Sequence, residues 1–207
     1  MSANTTKVIT GNVRLQFPNL FVARAIEEGD DPVFGTRILI PKSDTKTIKA
    51  MERAKKAAIE QGLESKFSGK KPRNFKDKEL IDGDEYNQER IEDGEDVRPE
   101  LEGHYFMNVS CKTAPGVVKA IGKDSNGKLK TAPIEDESEI YSGVYARVSL
   151  NWFCYKGAKA SGVTAGLNNV LKVMDGDYLG GRSSASSDFA DEDIDLDDEF
   201  EDDDDLI

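Results

Sequence analysis

Two segments of the sequence combine aromatic and cationic residues in a pattern that can bind nucleic acid. In both segments, 104–112 and 144–155, apolar residues alternate with a second set that mixes rings, cations, amides and hydroxyls. Alternation places the two sets on opposite faces of a strand. Exposed rings stack on unpaired bases while cations bind phosphates, so the pattern predicts binding of single-stranded nucleic acid. The predicted contact residues are Phe106, Lys112, Tyr145, Arg147, Phe153 and Tyr155, followed by Lys156 and Lys159.

The same rings have a structural alternative. Residues 62–103 form a long stretch without a sustained apolar period, which predicts an excursion from the core. If this excursion covers the rings, they form a second small core instead of a binding surface. The sequence leaves both interpretations open.

A second candidate is the basic loop, which we define as Ser68–Lys76. It contains four cations and one ring, and Lys70, Lys71, Arg73 and Phe75 are its predicted DNA contacts. Residues 42–78 hold 12 basic and 5 acidic residues, whereas residues 79–102 hold 2 and 11. The alternative is therefore a solvated loop whose cations pair with the acidic stretch beside it.

Catalytic and metal-binding chemistry has little support in the sequence. The carboxylates of 79–102 lack the spacing of a calcium loop. Residues 157–162 have GxxxxG spacing, but Val163 occupies the position of the lysine in a nucleotide-binding loop. Two cysteines outside any CxxC and one histidine cannot assemble a zinc site. We predict no enzyme, metal or cofactor, and keep a metal-dependent nuclease using these carboxylates as the alternative.

The charge of the chain is concentrated at its C-terminal end. The net charge is -12, and residues 183–207 hold 13 acidic residues and no basic ones, while residues 1–182 hold 27 and 28. Such a segment is predicted to be a disordered tail. Its interspersed apolar residues, Phe200, Leu206 and Ile207, predict docking to a partner, and its carboxylates are expected to compete with DNA phosphates. A third function class is an acidic interaction protein that does not bind DNA.

Composition excludes several other classes. A length of 207 residues favours one domain with appendages. No apolar run is long enough to span a membrane, and the first residues lack the apolar stretch of a signal peptide. Cys111 and Cys154 are predicted to be buried and reduced, in keeping with a cytoplasmic protein.

The spacing of apolar residues predicts a mainly β fold. Strands are expected at 12–17, 34–40, 104–112, 117–121, 128–134 and 144–155, with Asn126-Gly127 turning a hairpin. One helix is predicted from Ser43 or Asp44 to about Gln61, ending at Gly62, and a short second helix after Gly162. These elements indicate a small antiparallel barrel with one or two helices, a long charged excursion at about 62–103 and an acidic tail.

The chain resembles phage-encoded single-stranded DNA-binding proteins. The resemblance rests on GVTAGLNNV at 162–170, DGDYLGGR at 175–182, FPNLF at 17–21 and the acidic tail. It implies an OB fold over residues 1–182, sequence-tolerant binding of single strands, and a role in phage DNA replication, recombination or repair in the host cytoplasm. It also implies that the tail recruits replication proteins, such as a DNA polymerase or a helicase-primase.

Overall fold

A computed structural model describes residues 5–25, 29–157 and 160–179 of the chain. Within these residues the chain forms ten strands and two α-helices. The strands are β1 (Lys7–Ile9), β2 (Val13–Arg24), β3 (Val33–Pro41), β4 (Phe75–Asp77), β5 (Ile81–Asp82), β6 (His104–Cys111), β7 (Gly116–Lys123), β8 (Leu129–Pro133), β9 (Tyr145–Lys156) and β10 (Ser161–Met174). The helices are α1 (Thr45–Lys66) and α2 (Gly83–Glu92).

Five long strands close into a barrel. β3 lies between β2 and β6, and β9 pairs with both β2 and β10, all in antiparallel fashion. The ring closes through a parallel contact between β6 and β10, where Ser110 faces Gly166. A closed barrel of five strands is the OB architecture. The predicted mainly β, OB-fold-like barrel is therefore confirmed.

The larger hydrophobic core fills this barrel, and α1 packs across β9, β1 and β10. The alternation predicted for β9 is confirmed, because its even-numbered residues from Ala146 to Cys154 are buried. The helix begins after Asp44, whose carboxylate accepts the N–H of Thr47. It does not end at Gly62, as predicted, but at Lys66. Gly62 is buried where a Cβ atom would collide with Sγ of Cys154, so the glycine allows close packing of α1 on β9.

The prediction of a short helix after Gly162 is wrong. The segment forms β10, the longest strand of the sheet, and it contacts β4, β6 and β7 in parallel as well as β9 in antiparallel fashion. The pairing with β9 shifts register between Leu167 and Asn169 and again between Lys172 and Met174. These irregularities spread the apolar residues to intervals that resemble a helical period.

The excursion at 62–103 is a folded layer against the barrel. After α1 it contains β4, β5 and α2, and β5 pairs with β6 through Ile81 and Phe106. A second, smaller core forms beneath it from Leu39, Leu101 and Phe106, with Tyr86 and Leu179 packed against them. The excursion thus covers part of the outer face of β6.

The described residues contain no helix that is long and apolar enough to cross a membrane. The predicted acidic tail, 183–207, lies outside the described residues.

Candidate nucleic-acid interface

An open groove of about 340 Å³ crosses the outer surface of the barrel. We call it the central groove. It begins at β2, which carries Phe17, and runs over β3 and β6 to β10. β10 pairs with β9, the strand that carries Phe153. The groove is lined by Phe17, Asn19, Val33, Gly35, Thr36, Arg37, Lys78, Asn108, Val109, Ser110, Thr164 and Ala165.

Phe17 provides an exposed ring at one end of the central groove. Its φ angle is 51°, in the left-handed region that side chains other than glycine rarely adopt. This conformation reverses the alternation of β2, so Gln16 is buried while Phe17 is 57% exposed. The Phe17 N–H donates to Oγ of Ser142 at 2.9 Å, which holds the unusual backbone in place. Strict alternation over the predicted strand 12–17 would place Phe17 on the same face as the buried Val13 and Leu15, and the structure departs from this alternation.

Arg37 lies beside Phe17 and is held in position by several contacts. Its Nε donates to Oδ1 of Asn108 at 3.0 Å, and its Nη1 donates to Oε1 of Gln16 at 3.3 Å. Its guanidinium carbon lies 5.5 Å from the ring centre of Phe17 and 4.8 Å from that of Phe106. Burial lowers the pKa of Arg37, but an arginine stays charged at neutral pH. The groove therefore contains a fixed cation next to an exposed ring.

Phe106 is not the exposed stacking residue that the sequence predicted. Only 3% of it is exposed, and its ring meets the edge of Tyr86 with 5.3 Å between ring centres. The structural alternative is correct for this residue, because the excursion covers it. Phe106 instead supports the guanidinium of Arg37 from below.

Phe153 is exposed as predicted, with 42% of its surface open. It faces Thr164 across the β9–β10 ladder. Its ring lies over Gly166, where an added Cβ atom would be 3.1 Å from Cε1 of Phe153. The glycine therefore makes room for the ring to lie against the sheet with its other side open. Followed around the barrel surface through β3, β6 and β10, the path from the strand of Phe17 to that of Phe153 crosses four strand spacings, an arc of about 19 Å.

The basic loop joins this surface beyond Phe153. The parallel pairing of β4 with β10 places Lys76 opposite Gly162, and Gly162 faces the half-buried Tyr155 on β9. Lys70, Arg73, Lys76 and Lys156 are exposed. The Phe75 ring is covered by Phe67 and by Lys71, whose Nζ lies 4.6 Å from the ring centre. The structure thus brings the cations of the two predicted candidates together, but it does not leave Phe75 open for stacking.

Lys78 is a cation of the central groove that the sequence analysis missed. Its side chain is half-buried, and burial lowers its pKa. Among the described residues it makes no ion pair, unlike Lys55 nearby, which binds Asp77 at 3.0 Å. Lys78 follows the basic loop by two residues, so the alternation Lys76, Lys78 could have indicated it.

Three further predicted residues lie away from the central groove or at its edge. Lys112 is exposed beyond Ser110 and forms a surface ion pair with Asp31 at 2.9 Å. Tyr145 is eight residues from Phe153 along β9, about 26 Å, and it is covered by Arg14 and Gly176. Arg147 is exposed near that same end, where its Nε donates to the Thr10 carbonyl. These two residues are not part of one surface with Phe153. Lys159, Phe200, Leu206 and Ile207 lie outside the described residues.

Comparison with known protein families identifies the family of this chain. The family model described as Enterobacter phage Enc34, ssDNA-binding protein, matches residues 6–201, nearly the whole chain. The chain belongs to this family. The predicted resemblance to phage single-stranded DNA-binding proteins is therefore confirmed. The chain is also similar to putative protein p50 of Acyrthosiphon pisum secondary endosymbiont phage 1, with 28% identity over 184 residues, which cover 87% of this chain and 90% of that protein.

Solved structures of the Enc34 protein share the fold of this chain. The single-stranded DNA-binding protein from bacteriophage Enc34 in complex with ssDNA has a TM-score of 0.63 and 22% identity, covering 84% of this chain and 90% of that one. A second structure, the single-stranded DNA-binding protein from bacteriophage Enc34, has a TM-score of 0.59 and 21% identity, covering 92% of this chain and 96% of that one. At this level of identity the comparison supports the OB-like barrel.

The acidic stretch of this Enc34-family member is engaged in structural contacts. Lys42 Nζ lies 2.6 Å from Oδ1 of Asp82 and 2.7 Å from Oδ2 of Asp84. Burial raises the pKa of Asp82, but hydrogen bonds from Lys42 and from the N–H groups of α2 outweigh this and lower it. Among the described residues no three His, Cys, Asp or Glu side chains are grouped to hold a metal ion. The Enc34 family is one of binding proteins and not of enzymes, in agreement with the sequence prediction.

Proposed function

We propose that the protein binds single-stranded DNA, with little sequence preference, along the central groove and onward to the basic loop. The observation that carries the proposal is the pair of exposed rings, Phe17 and Phe153, at the two ends of one band of polar and cationic groups. Between them Arg37 and Lys78 can meet phosphates, and Asn108, Ser110 and Thr164 offer short polar side chains. A solved structure of the single-stranded DNA-binding protein from bacteriophage Enc34 is a complex with ssDNA, which supports the same use of this barrel.

The arrangement favours single strands over duplex. A ring can stack only on a base face that is not already covered by its neighbours in a helix, and every base offers such a face. Stacking therefore gives affinity without a sequence code. The exposed cations Lys70, Arg73 and Lys76 add attraction to the phosphates, which is also independent of sequence.

A titration of DNA binding tests the proposal. We expect tighter binding to a single strand than to a duplex of equal length, measured by filter binding with and without magnesium. If four phosphates are neutralised, the logarithm of the affinity should fall with the logarithm of the salt concentration with a slope of about -3.

Three other results would contradict the proposal. Equal or tighter duplex binding would remove the stacking argument. DNA cleavage when magnesium is added would favour the nuclease alternative. Absence of any DNA binding would favour an acidic interaction protein.

We further propose that DNA binding and partner binding belong to two separate parts of the chain, as the sequence suggested. Residues 1–182 form the DNA-binding domain, and the acidic tail, 183–207, docks replication proteins such as a DNA polymerase or a helicase-primase through Phe200, Leu206 and Ile207. The protein then acts in phage DNA replication, recombination or repair in the host cytoplasm. One structural observation supports a link between tail and groove. Leu179, close to the start of the tail, packs against the small core of Leu39, Leu101 and Phe106, and Phe106 lies beneath Arg37.

Removing residues 183–207 should tighten DNA binding. The deletion changes the net charge from -12 to +1, so it removes both repulsion of phosphate and competition by a tethered polyanion. A flexible tether gives the tail an effective concentration on the order of millimolar at the cationic surface. The increase in affinity should be largest at low salt, because salt screens both effects. Affinity for one oligonucleotide, compared at two salt concentrations, measures it.

Two tail variants separate charge from docking. A tail of equal length with its acidic residues replaced by Asn and Gln should reproduce the tighter DNA binding. The triple variant with Ala at Phe200, Leu206 and Ile207 should keep the competition and lose partner binding. Equal DNA affinity of the full-length and truncated proteins at low salt would contradict the competition.

A further inference from the structure

A second groove shares Phe17 and Asn19 with the central groove. Its volume is about 430 Å³, within the roughly 300 to 1000 Å³ of small-ligand sites. Residues that line it include Phe17, Asn19, Arg24, Ile140, Tyr141 and Tyr178. We call it the tyrosine groove. Because Phe17 lines both grooves, the two form one continuous surface on the barrel.

The tyrosine groove presents a prepared aromatic platform. Tyr178 is 51% exposed and stacks on Tyr141, with 5.9 Å between ring centres and 14° between ring planes. Tyr141 is fixed from behind, since its hydroxyl donates to the Gly176 carbonyl at 2.9 Å and accepts the Gly176 N–H at 3.1 Å. The outer ring of this pair is therefore held in place, and the exposed ring of Phe17 lines the same groove.

The backbone on both sides of Tyr178 is tied to the barrel. Arg14 Nη2 donates to the Asp177 carbonyl at 2.6 Å, and the Leu179 N–H donates to the Ser142 carbonyl at 2.7 Å. Ser142 is also the residue whose hydroxyl holds the backbone of Phe17. One short loop thus positions both aromatic walls of the tyrosine groove.

The charge of the tyrosine groove suits one nucleotide. Arg24 is the charged residue among those that line it, and its exposed side chain makes no ion pair within the described part of the chain. A ring for the base and a cation for the phosphate are the two elements of single-strand binding. The acidic tail is a less suitable occupant here, because its many carboxylates would meet one cation, whereas the basic loop offers several.

We propose that the tyrosine groove is an additional base-binding subsite, in which an unpaired base inserts between Phe17 and Tyr178. The inference rests on the proposed binding of single-stranded DNA. It extends the path of the strand past Phe17, so that the strand runs from the basic loop through the central groove to Tyr178. The segment that leads into the acidic tail then forms one wall of the binding site, and DNA and tail meet at this end of the path.

Substitution of Tyr178 tests the subsite. Tyr178→Ala should weaken binding of a long single strand at least about fivefold, the lower range for loss of one stacked base. It should also shorten the oligonucleotide length at which affinity stops rising. Tyr178→Phe should bind like the wild type, since the ring is retained. Met174→Ala is the matched control, because Met174 is 52% exposed on the same segment but lies outside the groove.

A crosslinking measurement on the unmodified protein provides an independent test. Irradiation with an oligonucleotide that carries 5-iodouracil should modify a peptide containing Tyr178. Tyr178→Ala binding as tightly as Met174→Ala, or the absence of this crosslink, would overturn the subsite. Tighter binding by Tyr178→Ala would also overturn it and would assign the groove to the acidic tail. If the wild-type protein fails to bind single strands, the proposed function itself fails.

Discussion

Replacing Phe17 and Phe153 together by Ala is expected to lower the affinity for single-stranded DNA by about 2 to 6 kcal/mol. Each ring that stacks on a base contributes about 1 to 3 kcal/mol, and the two rings lie too far apart to share one base. They are exposed by 57% and 42%, so their loss removes little buried surface from the core. Affinity should therefore fall by a factor of about 30 or more while the melting temperature changes little.

The matched control for this double variant is Ile9→Ala. Ile9 is 59% exposed on β1 and lines none of the grooves described above. It should leave DNA affinity unchanged, which separates loss of stacking from a general loss of exposed apolar surface. If the double variant binds as tightly as the Ile9 variant, the rings do not contact DNA.

Trp152→Ala is expected to lower the free energy of unfolding by about 3 to 5 kcal/mol, with little change in DNA affinity per folded molecule. Trp152 is next to Phe153 in sequence but on the opposite face of β9, where only 2% of it is exposed. Loss of the indole leaves a large cavity between α1 and the barrel. For a chain of this size the melting temperature should drop by roughly 6 to 20 °C, which circular dichroism can measure.

Two further variants are controls for Trp152→Ala. Trp152→Phe should recover most of the stability, since it fills most of the volume, and Nε1 of Trp152 has no hydrogen-bond partner to lose among the described residues. Phe153→Ala should leave the melting temperature near that of the wild type. A lower melting temperature for Phe153→Ala than for Trp152→Ala would show that the two faces of β9 are assigned the wrong way round.

The sequence predicted those parts of the fold in which one physical signal dominates. β9 alternates because one face lines the barrel interior and the other does not. α1 carries a helical period and a capping Asp44, and the Asn126-Gly127 turn joins β7 to β8. In these elements local preference and tertiary burial agree.

The errors arise where a strand is irregular or covered on both sides. In β10, Val163, Ala165 and Leu167 are buried at a period of two, but the register then shifts and the next buried residue is Val170. In β6, Phe106 is buried beneath the excursion while Met107 is buried in the barrel. A strand with two covered faces has no alternation that tells an exposed ring from a buried one.

The candidate site was therefore predicted in part. Phe153 and the cations of the basic loop were found, because they lie on regular or exposed segments. Phe17, Arg37 and Lys78 were missed. The exposure of Phe17 depends on a single φ angle. Arg37 and Lys78 belong to the site because the barrel brings their segments beside Phe17, and spacing along one segment cannot reveal that.

The left-handed backbone at Phe17 puts two demands on one position. Glycine would adopt a φ of 51° without the steric cost, on the order of 1 to 2 kcal/mol, that a side chain incurs there. Glycine, however, would remove the ring that the two grooves share. Selection for thermal stability alone would therefore favour glycine at this position, whereas selection for binding of single-stranded DNA would favour the aromatic residue. Under the proposed function, residue 17 is thus a position where a more stable protein would bind DNA less tightly.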